Sequence, residues 1–532
     1  MAHAVVCAGL GFSWPDGTAV FSSLDFTASR ARTGLIGANG SGKSTLLRLI
    51  AGELKPGAGS VHVDCTAAYL PQDVGRSAGT VSDLLRLTAK RDSLRRIENG
   101  EASLADFDIV GDDWDVDAAA VAALALFGLT TTGSDPLTRP VSTLSGGEVI
   151  QIALAGCWLQ RPDVLLLDEP TNNLDRAARE RLYDAIASWS GVALAVSHDR
   201  ELLDLMDATA EVRDGTVRTH GGNWTSFRDL LAAEQQAALR MVRVAETDLK
   251  REQRQLAQAL IGLDRRQRYG RKTEDNKRYP NIVVQKRKRS AQESGGRHRI
   301  LQLDKVFDAR TALDSAADEV RDDARIRIEL PGTVLPAGRT VLEMRWRGAG
   351  LIVRGPERIA LIGPNGAGKT SLLTQIAERA TAPSDLIRHR SGQIGYLPQR
   401  LDLLDDQRSV LDNVRGRQPH ASPNTVRASL ARFLLRGDRV DQPARTLSGG
   451  ERFRASLAML LLADPPPELL LLDEPTNSLD LESAEQLATA LAGYHGALIV
   501  ASHDLAFIES IGVQRFWALD ATGVLNDSAA SP

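Results

Sequence analysis

The chain repeats itself. GANGSGKST at Gly37–Thr45 returns as GPNGAGKTS at Gly363–Ser371, YLPQ at Tyr69–Gln72 returns at Tyr396–Gln399, and TLSGGE at Thr143–Glu148 returns at Thr446–Glu451. LLLDEPTNNLD, ending at Asp175, returns as LLLDEPTNSLD, ending at Asp480, and SHD at Ser197–Asp199 returns at Ser502–Asp504. The order is the same throughout. Ser145 lies 23 residues before Asp168 and Ser448 lies 25 before Asp473, and each of those aspartates lies 30 before the histidine of SHD. Self-similarity of this kind limits the architecture before any element is assigned. The 532 residues divide into two copies of one domain, 1–222 and 325–532, with a stretch of different character, 223–324, between them.

Each motif carries chemistry that needs its residue types. G-x-x-x-x-G-K-[ST] sets a glycine-rich turn between a strand and a helix, so that backbone N–H groups and the helix N-terminus cradle phosphate. The flanks fit an α/β domain: TGLIG and RIALIG read as buried strands, STLLRLIAG and TSLLTQIAE as helices. In this frame Gly37, Asn39, Gly40, Gly42 and Thr45, and again Gly363, Asn365, Gly366, Gly368 and Ser371, form phosphate-binding loops. Lys43 and Lys369 would reach the β- and γ-phosphates of a nucleotide, and Ser44 and Thr370 would hold Mg²⁺. VLLLDE and LLLLDE read as strands, apolar because both faces are covered, that end in paired carboxylates. Asp168 and Asp473 suit the magnesium shell, and Glu169 and Glu474, one residue further on, are placed to position the attacking water. His198 and His503 follow further strands and can bond the γ-phosphate, while Gln72 and Gln399 can contact metal or water. One such loop alone would be a weak signal; two, each with the same partners downstream, are a strong one.

Between the halves the periodicity changes. From Leu231, apolar residues at Ala238, Val242, Ala245, Leu249, Leu256, Leu260 and Leu263 step by 7, 4, 3, 4, 7, 4 and 3, which is a heptad seam. A second seam runs through Leu303, Val306, Leu313, Ala317 and Val320. Two helices with one narrow stripe each can bury it by pairing, so this stretch reads as a long α-helical hairpin, with a plain spacer as the alternative for its stems. Residues 265–299 hold 13 basic and 3 acidic side chains, a local charge of +10 in a chain of net charge −4. Arg265, Arg266, Arg268, Arg271, Lys272, Lys277, Arg278, Lys286, Arg287, Lys288 and Arg289 can neutralise phosphates, and Tyr269 and Tyr279 can stack on unpaired bases. A basic tip on a chain whose remainder carries a net charge of −14 reads as an RNA-binding arm, against the alternative of a solvated loop.

Other features narrow the classes. Cys7, Cys65 and Cys157 include no C-x-x-C pair, which argues against a disulfide scaffold and against zinc or iron–sulfur sites. No apolar run approaches the ~18 residues of a membrane span, and the N-terminus lacks a signal segment, so a cytoplasmic protein is expected. The halves also differ: Gln72 lies 73 residues before Ser145, but Gln399 only 49 before Ser448. The surplus falls around DFDIVGDDWDVD, whose acidity suits a helical elaboration better than a nucleic-acid arm.

LSGGE, between the glycine loop and the DEP strand, resembles the signature of ATP-binding cassette proteins, and the resemblance covers about 400 residues in both halves. It implies a monomer whose two cassettes pair, with each ATP held by the loop of one and the signature of the other. Site one would combine Lys43, Gln72, Asp168, Glu169 and His198 with Ser448, Gly449 and Gly450. Site two would combine Lys369, Gln399, Asp473, Glu474 and His503 with Ser145, Gly146 and Gly147. Both would hydrolyse ATP. The family stacks an aromatic residue on adenine 20–25 residues before the loop; Trp14 matches, but LPGTVLPAGRTVL in the second half offers none. Tandem cassettes joined by a helical hairpin, without a membrane domain, resemble the F subfamily. That implies a 70S ribosome partner, contacted through rRNA and P-site tRNA, with the tip directed towards the peptidyl-transferase centre. The long tip is similar to that of members protecting ribosomes from antibiotics. A housekeeping translation factor and the ATP-hydrolysing subunit of a membrane exporter remain as alternatives.

Overall fold

Four-residue aliphatic runs such as Val164–Leu167 and Leu469–Leu472 can be stable strands only where both faces are covered. A computed structural model places them so. It describes residues 5–29, 31–74, 79–129, 135–274, 281–318, 331–378, 387–390, 392–399, 402–477 and 479–528.

The first half runs β1 (Val5–Ser13), β2 (Ala19–Ala28), β3 (Arg32–Ile36), α1 (Lys43–Ile50), β4 (Ala58–Val63), β5 (Ala67–Leu70), α2 (Val81–Leu84), α3 (Thr88–Glu98), α4 (Leu104–Val110) and α5 (Val116–Leu126). It continues with α6 (Gly146–Leu159), β6 (Val164–Asp168), α7 (Arg176–Ala187), β7 (Val192–Val196), α8 (Arg200–Asp204), β8 (Ala208–Arg213) and β9 (Thr216–Gly221). Two long helices follow, α9 (Trp224–Glu274) and α10 (Asn281–Asp318). The second half runs β10 (Thr340–Trp346), β11 (Ala349–Arg354), β12 (Arg358–Ile362), α11 (Lys369–Ala377), β13 (Ile387–Arg390), β14 (Ile394–Leu397), α12 (Val410–Arg415) and α13 (Pro423–Arg432). It ends with α14 (Gly449–Leu461), β15 (Leu469–Asp473), α15 (Leu481–Ala492), β16 (Ala497–Ala501), α16 (Leu505–Ser510), β17 (Arg515–Leu519) and β18 (Leu525–Ser528).

The repeat in sequence is a repeat in topology. The main sheets are ordered β5-β6-β7-β3-β8-β9 and β14-β15-β16-β12-β17-β18, parallel apart from the last strand of each. Alternation sorts β6, the strand next to the β5 edge, between two cores. Val164 and Leu166 pack with β1, β2 and α1, while Leu165 and Leu167 pack with α6 and α7. Leu469 and Leu471 divide in the same way from Leu470 and Leu472. Truncating any of these fully buried leucines would cost about 2–5 kcal/mol. The acidic surplus of the first half is helical, as expected: α3 and α4 stand between α2 and α5, where the second half passes from α12 to α13. They are tied down by charge, with Arg91 bonding Asp117 and Asp135 and Arg96 bonding Asp106.

Both halves fall in one compact unit; residues 225–323 form another. Within the latter, α9 is 51 residues long, about 76 Å at 1.5 Å per residue. Its half-buried stripe passes through Leu231, Gln235, Ala238, Val242, Ala245, Leu249, Glu252, Leu256, Ala259 and Leu263. On α10 the stripe is Gln302, Val306, Ala309, Leu313 and Ala316. Three expected seam residues are thereby corrected: Leu260 and Leu303 are 40% and 45% exposed, and Ala317 is exposed beside Ala316. Val320 lies outside the described residues. The basic residues also lie differently from the expected connection between stems. Arg265, Arg266, Arg268, Tyr269, Arg271 and Lys272 continue α9, and Lys286, Arg287, Lys288 and Arg289 belong to α10. Arg265, Lys286 and Arg289 are exposed. Lys277, Arg278 and Tyr279 lie outside the described residues. Among the described residues no helix is long and apolar enough to cross a membrane.

Candidate nucleotide sites

The glycine loops leave β3 and β12 at their C-terminal ends, where open parallel sheets bind ligands. Gly37 and Gly363 each have φ of +148°, and a Cβ there would come within 2.4 and 2.3 Å of the carbonyl oxygens of Val212 and Leu519, so only glycine fits. Lys43 is buried and bonds Gly37 O at 2.7 Å and Ala38 O at 3.0 Å. Lys369 bonds Gly363 O at 2.7 Å and lies 2.9 Å from His503 Nε2. Each ammonium is thus curled into its own loop, where a phosphate would be received.

Beside each lysine stands the end of β6 or of β15. Ser44 Oγ donates to Asp168 Oδ1 at 3.0 Å, and Tyr69 Oη to Asp168 Oδ2 at 3.4 Å. Asp473 is 1% exposed, and neither of its carboxylate oxygens has a hydrogen-bond partner. Buried, unpartnered oxygens are what a hard cation requires, and Mg²⁺ takes one or two protein oxygens beside substrate phosphates. Ser44 with Asp168, and Thr370 with Asp473, fit that ion, which when bound would neutralise phosphate charge.

Glu169 and Glu474 then turn out of the strands with φ of +50° and +45°, their N–H groups held by Val196 O and Ala501 O at 2.8 Å. His198 Nε2 lies 3.1 Å from Glu169 Oε1, and His503 Nε2 lies 3.3 Å from Glu474 Oε1. Burial pushes the Glu474 carboxyl up to about 7 against the opposing charge of Lys369, and raises Glu169 likewise. Burial, aided by the neighbouring lysine, brings His198 down to about 4 and His503 to about 3, so both imidazoles are neutral at pH 7. The arrangement can accept a proton from water beside a phosphate held by lysine, magnesium and a neutral imidazole.

The structure also brings opposite halves together. A cavity of about 400 Å³ is lined by Gly366, Gly368, Lys369, Thr370, Ser371, Gln399, Asp473, Glu474 and His503 from the second half and by Ser145, Gly146 and Gly147 from the first. Asn365 Nδ2 donates to Asn173 O at 2.6 Å across the same boundary. Around Lys43 the crossing contact is Asn39 N–H to Asp480 Oδ2, 2.9 Å. Ser145 and Ser448 cap α6 and α14 through capping boxes with Glu148 and Glu451, which fix where each signature helix begins. Gln72 is exposed. Trp14 sits at the β1–β2 turn, edge-on to Phe12 at 5.1 Å with the Arg48 guanidinium 5.9 Å from its ring. At the corresponding β10–β11 turn stands Arg347, and the adjacent Trp346 is buried with its indole N–H on Gly523 O, so no stacking face replaces Trp14.

Sequence reasoning left out Asn173, Asp480 and Arg179, all at this boundary. The first two belong to the repeated NNLD and NSLD motifs, so a signal existed; Arg179 has no repeated counterpart.

A family model described as ABC transporter matches residues 22–172 and 347–477. The chain is 32% identical over 526 residues to the Tylosin resistance ATP-binding protein TlrC of Streptomyces fradiae, covering 92% of each. It is 31% identical to the putative ATP-binding protein YdiF of Bacillus subtilis, covering 91% of this chain and 75% of that one, and 31% identical to the ATP-binding protein Uup of Caulobacter vibrioides, covering 95% and 75%. Among solved structures it is similar in fold to one described as RNase-L Inhibitor, with a TM-score of 0.53 at 18% identity and coverage of 96% and 87%. A model of ribosome-bound archaeal Pelota and ABCE1 gives a TM-score of 0.54 at 18% identity, covering 96% and 76%.

Proposed function

We propose that this chain, which belongs to the ATP-binding cassette family and to its F subfamily, acts on the ribosome. It is an ATP hydrolase with two cassettes in tandem. ATP with Mg²⁺ occupies the loops at Lys43 and Lys369, Glu169 and Glu474 position water, and each γ-phosphate meets the opposite signature. In the ATP-closed state the linker tip enters the 70S ribosome towards the peptidyl-transferase centre, meets rRNA and P-site tRNA, and protects the ribosome from an antibiotic. The observation that carries this is the +10 charge gathered on residues 265–299 of an otherwise acidic chain. A resistance protein among the relatives and a ribosome-bound structure among the folds support it. An exporter subunit has no use for such a polycation between its cassettes.

The test is co-sedimentation with 70S ribosomes in ATP, using Glu169→Gln together with Glu474→Gln to retain nucleotide. Binding is expected, and a protein that stays in the supernatant in every nucleotide state overturns the reading. Charge reversal at Lys286, Arg287, Lys288 and Arg289 weakens binding and flattens its salt dependence by about 0.7–0.9 in log–log slope for each phosphate no longer neutralised. A drug-sensitive host expressing the chain gains tolerance. Unchanged susceptibility with intact ribosome binding makes the chain a translation factor instead.

A further inference from the structure

The two cassettes do not present the same surface to each other. Counting from the repeated aspartates, Arg176, Arg179 and Tyr183 of α7 correspond to Leu481, Ala484 and Ala488 of α15; after the repeated SHD, Arg200 and Glu201 correspond to Leu505 and Ala506. Both sets line a central cavity of about 70 Å³ that also touches Glu169, His198 and His503, Ala488 alone standing outside it. Of these, Arg179 reaches furthest. Its Nε donates to Leu174 O at 3.3 Å and its Nη1 to Asp199 Oδ2 at 3.1 Å, and Tyr183 Oη donates to the same oxygen at 2.7 Å. Its side chain is 14% exposed, and it also lines the second nucleotide cavity beside Lys369, Glu474 and His503.

We propose that Arg179, supplied by the first cassette, is a phosphate-binding residue of the second nucleotide site, and that the first site, facing Ala484, lacks one. A guanidinium is a planar, permanently charged fork suited to tetrahedral oxyanions. Fixed at two points by Leu174 O and Asp199, it keeps N–H donors for a third partner, the γ-phosphate or the inorganic phosphate that leaves. Its charge is felt across the boundary by both Glu474 and His503. Asp199 neutralises part of that charge, so the effect falls short of the 10³–10⁵ of an arginine finger. The two sites are therefore unequal: the second holds its product phosphate more firmly.

This rests on the assignment of the second site above, and the experiment separates the two. Full-length Glu169→Gln protein turns over only at site two and Glu474→Gln only at site one. If the assignment itself is wrong, the doubly substituted protein hydrolyses ATP normally. If it is right, Arg179→Ala lowers kcat at least about tenfold more in the Glu169→Gln background than in the Glu474→Gln background. KM for ATP shifts less than kcat, and inhibition by orthovanadate, which mimics the leaving phosphate, weakens in parallel. Arg179→Lys recovers part of both, and Ala484→Arg strengthens vanadate inhibition of site one. An equal loss in the two backgrounds, or a loss confined to site one through Asp199 and His198, overturns the proposal.

Discussion

Glutamate adopts a left-handed backbone only at a cost of about 1–3 kcal/mol, yet Glu169 and Glu474 both do so at the same point of the repeat. The hydrogen bonds from their N–H groups to the neighbouring strand hold that conformation, and the result is a carboxylate turned out of the sheet beside the lysine. Glutamine has the same shape and fits the same backbone. Replacing both glutamates by glutamine should therefore lower steady-state phosphate release by about 10²–10⁴-fold while leaving nucleotide affinity within a few-fold; phosphate release and fluorescent-nucleotide titration measure the two. The identity of these residues was legible because acid, spacing and strand recur together. Their backbone strain was not, since motif letters carry no dihedral angles. Arg179 was hidden for a different reason: reasoning from repetition sees only what both copies share.

The linker shows how far periodicity can be trusted. The half-buried stripe of α9 follows heptad phase, widened at Asp248 and Gly262, and polar Gln235 and Glu252 occupy some of its positions. A reading that follows apolar residues alone steps off the stripe to the nearest leucine, which is how Leu260 and Leu303 were placed in it. At half-burial a long polar side chain covers the seam with its stem, so the phase is set by the helix and not by each residue's hydropathy. The helices also run further into the basic segment than a loop would, because Arg, Lys and Gln are good helix formers. Gly262 interrupts that run, and a Cβ there would meet nothing within 4 Å. Gly262→Ala should stabilise α9 by about 0.5–1 kcal/mol, read as slower amide hydrogen exchange around residue 262.

At the scale of the molecule, the boundary between cassettes is where the duplication has diverged. Long side chains of the first cassette, including Arg176, Arg179 and Arg200, face the smaller Ala484, Ala506 and Leu505 of the second around one cavity, and Arg200 bonds Glu485 at 3.2 Å across it. Two first cassettes set face to face would crowd their arginines; two second cassettes would leave a void, and both mismatches destabilise. Cassettes produced as separate chains, cut within the linker, should then form mixed pairs with ATP and not like pairs, which size-exclusion chromatography with mass detection can count. The shared topology was legible from the motifs, but this complementarity was not, because it lies in the residues between them. An ancestor built from one gene copied twice could trade its parts freely. This descendant cannot: left and right have become different shapes, and a substitution accepted on one side has no licence on the other.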